Sequence, residues 1–163
     1  MKTLGMILIM IASYVMSGQV ASHYSNKMKY SSMLLYIITD IRSRIEYAPV
    51  DIYFIFGNYS NEKYHPFDNI FAACCESGDY FMDVLGKGLS DIREISDETS
   101  EIILSAFDIL SRSGREGAGN HLKLCEKRLK DEVERIRTES DIKGKMYEKL
   151  ALLMGVFVCI LFV

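Results

Sequence analysis

The pattern of apolar and polar positions divides the chain into two apolar ends and a charged middle. The first end predicts a transmembrane helix over residues 1–26, because an apolar helix of about twenty residues spans a bilayer. The apolar C-terminal end predicts a second membrane segment over residues 146–163. Between them, residues 27–145 carry nearly all of the charge and must fold against water or a water-facing partner. The expected organisation is anchor, domain, anchor.

Each apolar end allows a second interpretation. Lys2 and the small-residue site Val15-Met16-Ser17 fit a cleaved signal peptide, but the uncharged stretch continues past that site to Asn26. The final uncharged residues cover only roughly 21 Å as a helix, so they span the bilayer only if the helix starts near Met146. A terminal helix buried in a soluble core is the alternative there, and the lack of a polar face disfavours it.

Apolar residues in the middle domain recur at steps of three and four, which predicts an all-α fold. We expect a helical bundle of about six helices, flanked by the N- and C-terminal membrane helices. The first helix of the domain is expected over residues 27–46. Pro49 ends it, because proline lacks an N–H donor and disfavours the helical conformation of the residue before it. Only two prolines and no tryptophan argue against an all-β sandwich.

Glycines are expected to end the short helices that follow. A helix over residues 50–56 should stop at Gly57, and a helix over residues 80–85 should be broken by the glycine-rich residues 86–88. A third short helix, closed by Gly78, lies between them. Its apolar face consists of Phe67, Ile70, Phe71 and Cys74.

Two longer helices are expected to form a hairpin at the end of the domain. The first begins in the acidic segment 91–101, since acidic residues suit a helix start, and stops at Gly114. The second begins after Gly119 with Asn120 as its N-cap and continues into the C-terminal membrane segment. Its seven-residue apolar row is interrupted only at Lys143, and the full heptad pattern of a coiled coil fails at Glu132 and Glu139. The residues expected to pack across the turn are Leu122, Leu129 and Ile136 against Ile103, Phe107 and Leu110.

Charge and cysteine usage exclude several classes of function. Nineteen basic against twenty-two acidic side chains leave no basic excess for phosphates, so no nucleic-acid partner is predicted. The four cysteines form no CxxC pair, which favours free thiols in a reducing compartment over a disulfide framework. His65 and Cys74 lack the spacing and the second ligand pair of a zinc site.

No catalytic or cofactor-binding motif is present. The chain has neither a phosphate-binding loop nor a dinucleotide fingerprint, and His23, His65 and His121 fall in unrelated segments without matched carboxylates. We therefore predict a protein that is not an enzyme. No catalytic, cofactor-binding or metal-binding residue is assigned.

The lysines next to both apolar ends lie on the domain side. Lys27 and Lys29 follow the first end, and Lys143, Lys145 and Lys149 precede the uncharged C-terminus. By the positive-inside rule, the domain over residues 27–145 is expected to be cytoplasmic.

Residues 110–124 resemble a stretch of stage III sporulation protein AB from endospore-forming bacteria. In that family the pattern is approximately L-G-x-S-D-R-E-G-Q-x-x-H-L-x-L. The chain departs from it at Ser111, Gly114 and Ala118. The residues that match are Ser113, Arg115, Glu116, Gly117, His121, Leu122 and Leu124. The length and the anchor, domain, anchor order extend the resemblance to the whole chain.

This resemblance implies a non-enzymatic scaffold subunit of the complex that joins mother cell and developing forespore. The implied location is the cell membrane, on the mother-cell side of the outer forespore membrane. The family is similar to the F-type membrane platform proteins of type II secretion. The implied partners are therefore the lipid bilayer and other stage III sporulation subunits, including a secretion-type ATPase. A homo-oligomer of this chain is a further alternative.

Arg115, Glu116 and His121 are the candidate partner-interface residues. They lie in a turn that is expected to be exposed, where charged side chains are free to meet a partner. Helix capping explains the same residues equally well. The alternative function is a membrane-anchored helical sensor or ligand-binding protein, and a secreted helical enzyme with a cleaved leader is a third interpretation.

Overall fold

Six α-helices and no β-strand make up the described chain, in agreement with the predicted all-α fold. The computed structural model describes the backbone of residues 2–47, 51–112 and 115–162. The described side chains are those of residues 24–47, 51–112 and 117–143 together with Met146, Lys149, Leu150, Leu153 and Phe157.

The first and last helices are by far the longest. They contain 46 and 48 residues, which correspond to about 69 and 72 Å at the helical rise of 1.5 Å per residue. Two single turns of 3-10 helix, Glu62–Tyr64 and Gly78–Tyr80, precede the third and fourth helices. The helices are α1 Lys2–Tyr47, α2 Ile52–Tyr59, α3 Asp68–Glu76, α4 Phe81–Ser90, α5 Asp97–Arg112 and α6 Arg115–Phe162.

The residues expected to form membrane segments belong to these two long helices. Within the described part of the chain, no helix combines the length and the apolar character needed to cross a membrane. Most side chains of residues 1–26 and 146–163 lie outside the described residues. The two membrane segments stay predictions.

The chain divides into two compact units. One unit is Lys29–Val133, and the other combines Met1–Met28 with Glu134–Val163. The charge pattern of the sequence predicts the domain over residues 27–145. Helices α1 and α6 contribute residues to both units, whereas α2 to α5 belong to Lys29–Val133 alone.

An aromatic cluster forms the centre of the Lys29–Val133 unit. The ring centroid of Phe56 lies 5.9 Å from that of Phe71, 5.4 Å from that of Phe81 and 5.2 Å from that of Phe107. These are the distances at which aromatic rings attract one another in offset or tilted arrangements. Phe56 therefore links α2 to α3, α4 and α5.

Helix α2 continues through Gly57, where the sequence analysis expected it to stop. Its N-cap is Asp51, whose side chain accepts a hydrogen bond from the backbone N–H of Tyr53 at 2.9 Å. At the other end Tyr59 is buried and its hydroxyl donates to Asp40 at 2.5 Å. Burial of the Tyr59 ring and its bond to α1 favour the extra turn over an early stop.

Asp40 holds α2 against α1 through a small charged network. Its Oδ2 also accepts a hydrogen bond from Nε of Arg44 at 2.8 Å. Burial alone raises the pKa of Asp40, but the hydrogen bonds from Tyr59 and Arg44 outweigh it and hold that pKa below its ordinary value. Burial, together with the bond to Asp40, raises the pKa of Tyr59.

Residues 86–88 do not break a helix, contrary to the sequence analysis. Helix α4 runs from Phe81 to Ser90 and buries Leu85 and Leu89. A Cβ atom on Gly88 would lie 2.8 Å from Cγ1 of Ile70, which is closer than real Cβ contacts. Glycine at this position lets α4 approach α3 closely, and the packing that results offsets the low helix propensity of glycine.

We expect Gly88→Ala to destabilise the chain by about 1–3 kcal/mol, because the added methyl group meets Ile70 in a packed interface. Gly86→Ala is the matched control in the same helix, since its Cβ would lie 3.8 Å from the Leu104 side chain, in ordinary contact. Urea unfolding followed by circular dichroism measures both. Equal stability of the two variants would show that α3 and α4 do not need the glycine.

Helices α5 and α6 form the predicted hairpin, and two hydrogen bonds define its register. Ser96 Oγ donates to Oε1 of Glu132 at 3.0 Å, and Ser105 Oγ lies 2.9 Å from Nε2 of His121. The two helices are therefore antiparallel. Ser96 also caps α5, because its Oγ accepts a hydrogen bond from the backbone N–H of Thr99 at 3.2 Å.

The start of α6 differs from the sequence analysis. The helix begins at Arg115, so Gly119 and Asn120 lie inside it and Asn120 is not its N-cap. Ala118 is buried one turn before Leu122, which extends the buried row of α6 towards the N-terminus. This burial explains why the helix starts before the glycine that was expected to precede it.

The buried row of α6 confirms most of the packing expected for the hairpin. Leu122 and Leu129 belong to the same buried cluster as Ile103 and Phe107, and Leu110 packs against that cluster. Ile136 is buried in the other unit. Glu132, where the heptad pattern fails in the sequence, is buried as well, and its carboxylate accepts a hydrogen bond from Ser96.

Helix α1 packs against α6 within the Lys29–Val133 unit. Arg42 Nε lies 2.8 Å from Oε2 of Glu126, which joins the two helices by an ion pair. Pro49 lies outside the described residues, while α1 ends at Tyr47. The apolar face that α1 buries consists of Leu34, Ile37, Ile38, Ile41 and Ile45.

Candidate partner interface

The candidate residues Arg115, Glu116 and His121 all lie in the first turns of α6. They do not lie in a turn between helices, as the sequence predicts, because the backbone is helical from Arg115 onward. The side chains of Arg115 and Glu116 lie outside the described residues. Their contribution to an interface is still a prediction.

His121 takes part in the packing of the hairpin. Its ring is half-buried, and Nε2 lies 2.9 Å from the hydroxyl of Ser105 on α5. Sequence reasoning could not pair these two residues, since they come from different helices. The histidine links α5 to α6 within the unit, which favours a role in positioning the start of α6.

An exposed apolar side chain lies beside this segment and was missed by the sequence analysis. Leu124 is 53% exposed, whereas Leu122, two residues earlier, is completely buried. Residues two apart point to different faces of a helix, so the two leucines of the family-like pattern have different environments. The exposure of Leu124 could have been predicted from the sequence, because this residue falls outside the apolar row of α6. The exposed neighbours on its side of the helix are Gly117 and Asn120.

Four basic side chains follow in the next turns of α6. All are exposed, and among the residues that the structure describes they have no ion-pair partner. At the end of α5, in contrast, Nε of Arg112 pairs with Oδ1 of Asp108 at 2.8 Å. An exposed carboxylate, that of Asp131, lies four residues after Lys127 on the same helix, so this surface carries both signs of charge. The four residues are Lys123, Lys127, Arg128 and Lys130.

The cysteines of the described part are free thiols, as predicted. The thiol of Cys74 contacts the carbonyl oxygen of Phe81 at 3.7 Å, and that of Cys75 contacts the carbonyl oxygen of Tyr53 at 3.8 Å. Burial raises the pKa of Cys74 to about 12. A protonated, buried thiol is a poor nucleophile, so Cys74 serves packing. Within the described residues, no three His, Cys, Asp or Glu side chains converge as metal ligands.

Comparison with known families gives a match over residues 2–163 to the model for stage III sporulation protein AB. This chain belongs to that family. The resemblance seen in residues 110–124 is thereby confirmed and extends over the chain, and membership carries a role in sporulation. No curated protein and no solved structure matches the chain.

Several residues of the family-like pattern have structural roles in this member of the stage III sporulation protein AB family. Leu122 fills the core between α5 and α6, and His121 bonds to α5. Leu124 is exposed on the same segment. The segment therefore combines residues that shape the hairpin with at least one that is available to a partner.

Proposed function

We propose that the chain is a non-enzymatic scaffold subunit of the sporulation complex between mother cell and forespore, similar to the F-type membrane platforms of secretion systems. The observation that carries the proposal is the match of the family model to residues 2–163. The arrangement of the helices supports it. Helices α1 and α6 each begin or end in an apolar stretch of sequence and each also contribute to the buried core of Lys29–Val133.

Membrane anchoring through residues 1–26 and 146–163 is part of this proposal. Four apolar side chains in the last part of α6 are exposed, and the steps of four, three and four residues between them place them on one helix face. A continuous exposed apolar face is unfavourable in water and favours an apolar surrounding. These side chains are Met146, Leu150, Leu153 and Phe157.

The proposed orientation places the helical domain in the cytoplasm. Five lysines near the apolar ends lie on the domain side and only Lys2 lies on the other side, which the positive-inside rule favours for a cytoplasmic domain. A secretion-type ATPase of the complex would then be able to reach the domain and supply the energy that a scaffold does not generate.

We place the partner contact at the start of α6. Arg115 and Glu116 open this helix, and the next turn exposes Gly117 and Asn120. His121 holds the segment against α5 through Ser105. A helix end that is held in place in this way already has an ordered backbone. Its charged side chains can therefore bind a partner without the entropy cost of ordering a loop. We therefore assign contact to Arg115 and Glu116 and positioning to His121.

Co-purification from sporulating cells tests the proposal. An affinity-tagged full-length chain is expected to recover other subunits of the sporulation complex from solubilised membranes. Exchanging the two charges in the variant Arg115→Glu with Glu116→Arg should reduce this recovery and the number of spores at least tenfold, because it places like charges against the partner. The amount of the chain in the membrane fraction should not change.

The chain offers a matched control, because Arg93 and Glu94 form the same dipeptide between α4 and α5. The variant Arg93→Glu with Glu94→Arg should recover the partner subunits at the wild-type level. Equal recovery by both exchanged variants would remove the start of α6 from the interface. A wild-type chain that recovers no sporulation subunit would overturn the scaffold function itself.

A further inference from the structure

Helix α2 is apolar on both of its sides, although only one side is buried. The helix Ile52–Tyr59 contains no charged side chain. Phe56 is completely buried, whereas Phe54 and Tyr53 on the opposite side are 60% and 37% exposed. A helix that is apolar all round is normally covered on every side. The outer side of α2 is therefore a surface on which a partner can bury apolar area.

The end of α3 lies beside the start of α2. Sγ of Cys75 is 3.8 Å from the carbonyl oxygen of Tyr53. Ala72, one turn before Cys75 on the same face of α3, is partly exposed. Its methyl group covers little of the neighbouring helix, so the rings of Tyr53 and Phe54 stay open to a partner.

A third exposed aromatic ring lies at the same end of the α2–α3 pair. Tyr80 belongs to the turn Gly78–Tyr80, which comes after α3, and its side chain is 74% exposed. The next residue, Phe81, contacts Phe56 of α2 with ring centroids 5.4 Å apart. Tyrosine, together with tryptophan and arginine, contributes much of the binding energy of protein interfaces. The aromatic patch consists of Tyr53, Phe54 and Tyr80.

The charged side chains next to the aromatic patch on these elements are negative. Asp51 caps the start of α2, Glu76 ends α3, and Asp79 lies in the turn that follows. All three are exposed, and none has an ion-pair partner within the described chain. Residues 45–62 and 64–86 contain no lysine or arginine. These three carboxylates form an acidic rim.

The basic residues that border these segments do not neutralise the acidic rim. Nε of Arg44 lies 2.8 Å from Oδ2 of Asp40 and is engaged there. Lys63 follows the C-terminal end of α2, and its ammonium group lies 5.4 Å from the centre of the Tyr64 ring. Lys87 lies in the second half of α4, beyond the turn that carries the rim. The rim therefore keeps its excess of negative charge.

This combination of rings and carboxylates selects among the possible occupants. A second copy that used the same patch would place carboxylates face to face, which is unfavourable. A membrane surface of anionic lipid is repelled for the same reason. An arginine of a partner protein, in contrast, stacks on an aromatic ring and donates two parallel hydrogen bonds to a carboxylate.

We infer that the aromatic patch binds a basic segment of another protein, with arginine side chains of that segment stacked on the exposed rings. The acidic rim pairs with further basic side chains and defines where the segment lies. This surface is separate from the start of α6, and it serves a partner whether or not Arg115 and Glu116 do.

Photo-cross-linking of the full-length chain in sporulating cells tests this inference. The photoreactive amino acid p-benzoylphenylalanine replaces Phe54 and keeps an aromatic ring there. Illumination is expected to join this position to another protein, and mass spectrometry should place the link in a segment of net positive charge. A link only to a neutral or acidic segment, to a second copy of this chain or to lipid would overturn the inference, and so would the absence of any link.

Neutral variants of the acidic rim test the role of its charge. In Asp51→Asn with Glu76→Gln and Asp79→Asn, each side chain keeps its shape, and asparagine still caps the start of α2. The yield of the link at position 54 should fall at least about fivefold, because the basic segment loses its ion pairs. An unchanged yield would overturn the assignment of a basic partner.

The matched control is Asp91→Asn with Asp131→Asn and Glu134→Gln. It removes the same number and kinds of exposed carboxylates from the end of α4 and from α6, away from the aromatic patch. The yield at position 54 should stay at the wild-type level. An equal loss of yield in both triple variants would mean that net charge alone determines the link, and it would contradict a specific rim.

Phe54→Ala with Tyr80→Ala removes two rings without opening a cavity, because both side chains are exposed. The number of spores is expected to fall at least about tenfold, as for the loss of an aromatic anchor, with an unchanged amount of chain in the membrane fraction. Tyr36→Ala is the control, since this exposed tyrosine lies on α1 near Lys63. Equal spore numbers in the two variants would overturn the inference. Recovery of sporulation subunits by the tagged chain without any link at position 54 would remove this surface and leave the scaffold function standing.

Discussion

Replacing Phe56 by alanine is expected to lower the free energy of unfolding of the chain by roughly 3–5 kcal/mol. Phe56 is completely buried and contacts the rings of Phe71, Phe81 and Phe107. Its removal leaves a cavity where α2 to α5 meet, and the three remaining rings lose a common neighbour. Urea unfolding of the full-length chain in mild detergent, followed by tyrosine fluorescence, measures the change.

Phe54→Ala is the control for this prediction. Phe54 lies in the same helix and is 60% exposed, so its removal creates no cavity. We expect a change of less than about 0.5 kcal/mol, as is usual for surface substitutions. If the two variants unfold at the same urea concentration, Phe56 is not the centre of the core.

Leu129→Ala is expected to cost roughly 2–5 kcal/mol, because this completely buried side chain fills the core between α6 and the other helices. Leu124→Ala is the matched control, since it removes the same atoms from the same helix at an exposed position. Both are measured by urea unfolding of the full-length chain in mild detergent. Equal stabilities would mean that the face of α6 around Leu129 serves a partner and not the core.

The helical bundle could be predicted from the sequence because the spacing of apolar residues reports directly on buried helix faces. The acidic start and the expected stop of α5 at Gly114 agree closely with the observed helix Asp97–Arg112. The face predicted for α3 is also correct, since Phe71 and Cys74 are buried there. In these segments local preference and tertiary packing favour the same structure.

The glycines misled the sequence analysis because their effect depends on what the helix buries beyond them. A glycine inside a helix costs about 1 kcal/mol relative to alanine. Burial of Tyr59 after Gly57, and of Leu89 after Gly88, outweighs that cost. The same holds for Ala118, whose burial favours a helix that starts at Arg115.

The candidate interface could be predicted only in part. The sequence identified the segment around Arg115 and His121, but it could not identify Ser105 as the partner of His121 because this pair depends on the register of the hairpin. The same reason explains Glu132, where the heptad pattern fails in the sequence and whose carboxylate accepts a hydrogen bond from Ser96 in the fold. Polar contacts between distant helices are not encoded in local spacing.

The ion pair between Arg42 and Glu126 joins the first helix of the core to the last, and this has a consequence for protein synthesis. At about 5–20 residues per second, roughly 5–20 s separate the translation of Leu34 from that of Leu129, which share one core. Throughout this interval α6 has not been synthesised, so the apolar face of α1 cannot pack against it. Nascent chains are therefore expected to need protection by chaperones until the ribosome has delivered α6, and messages truncated before this helix should yield chains that are rapidly degraded.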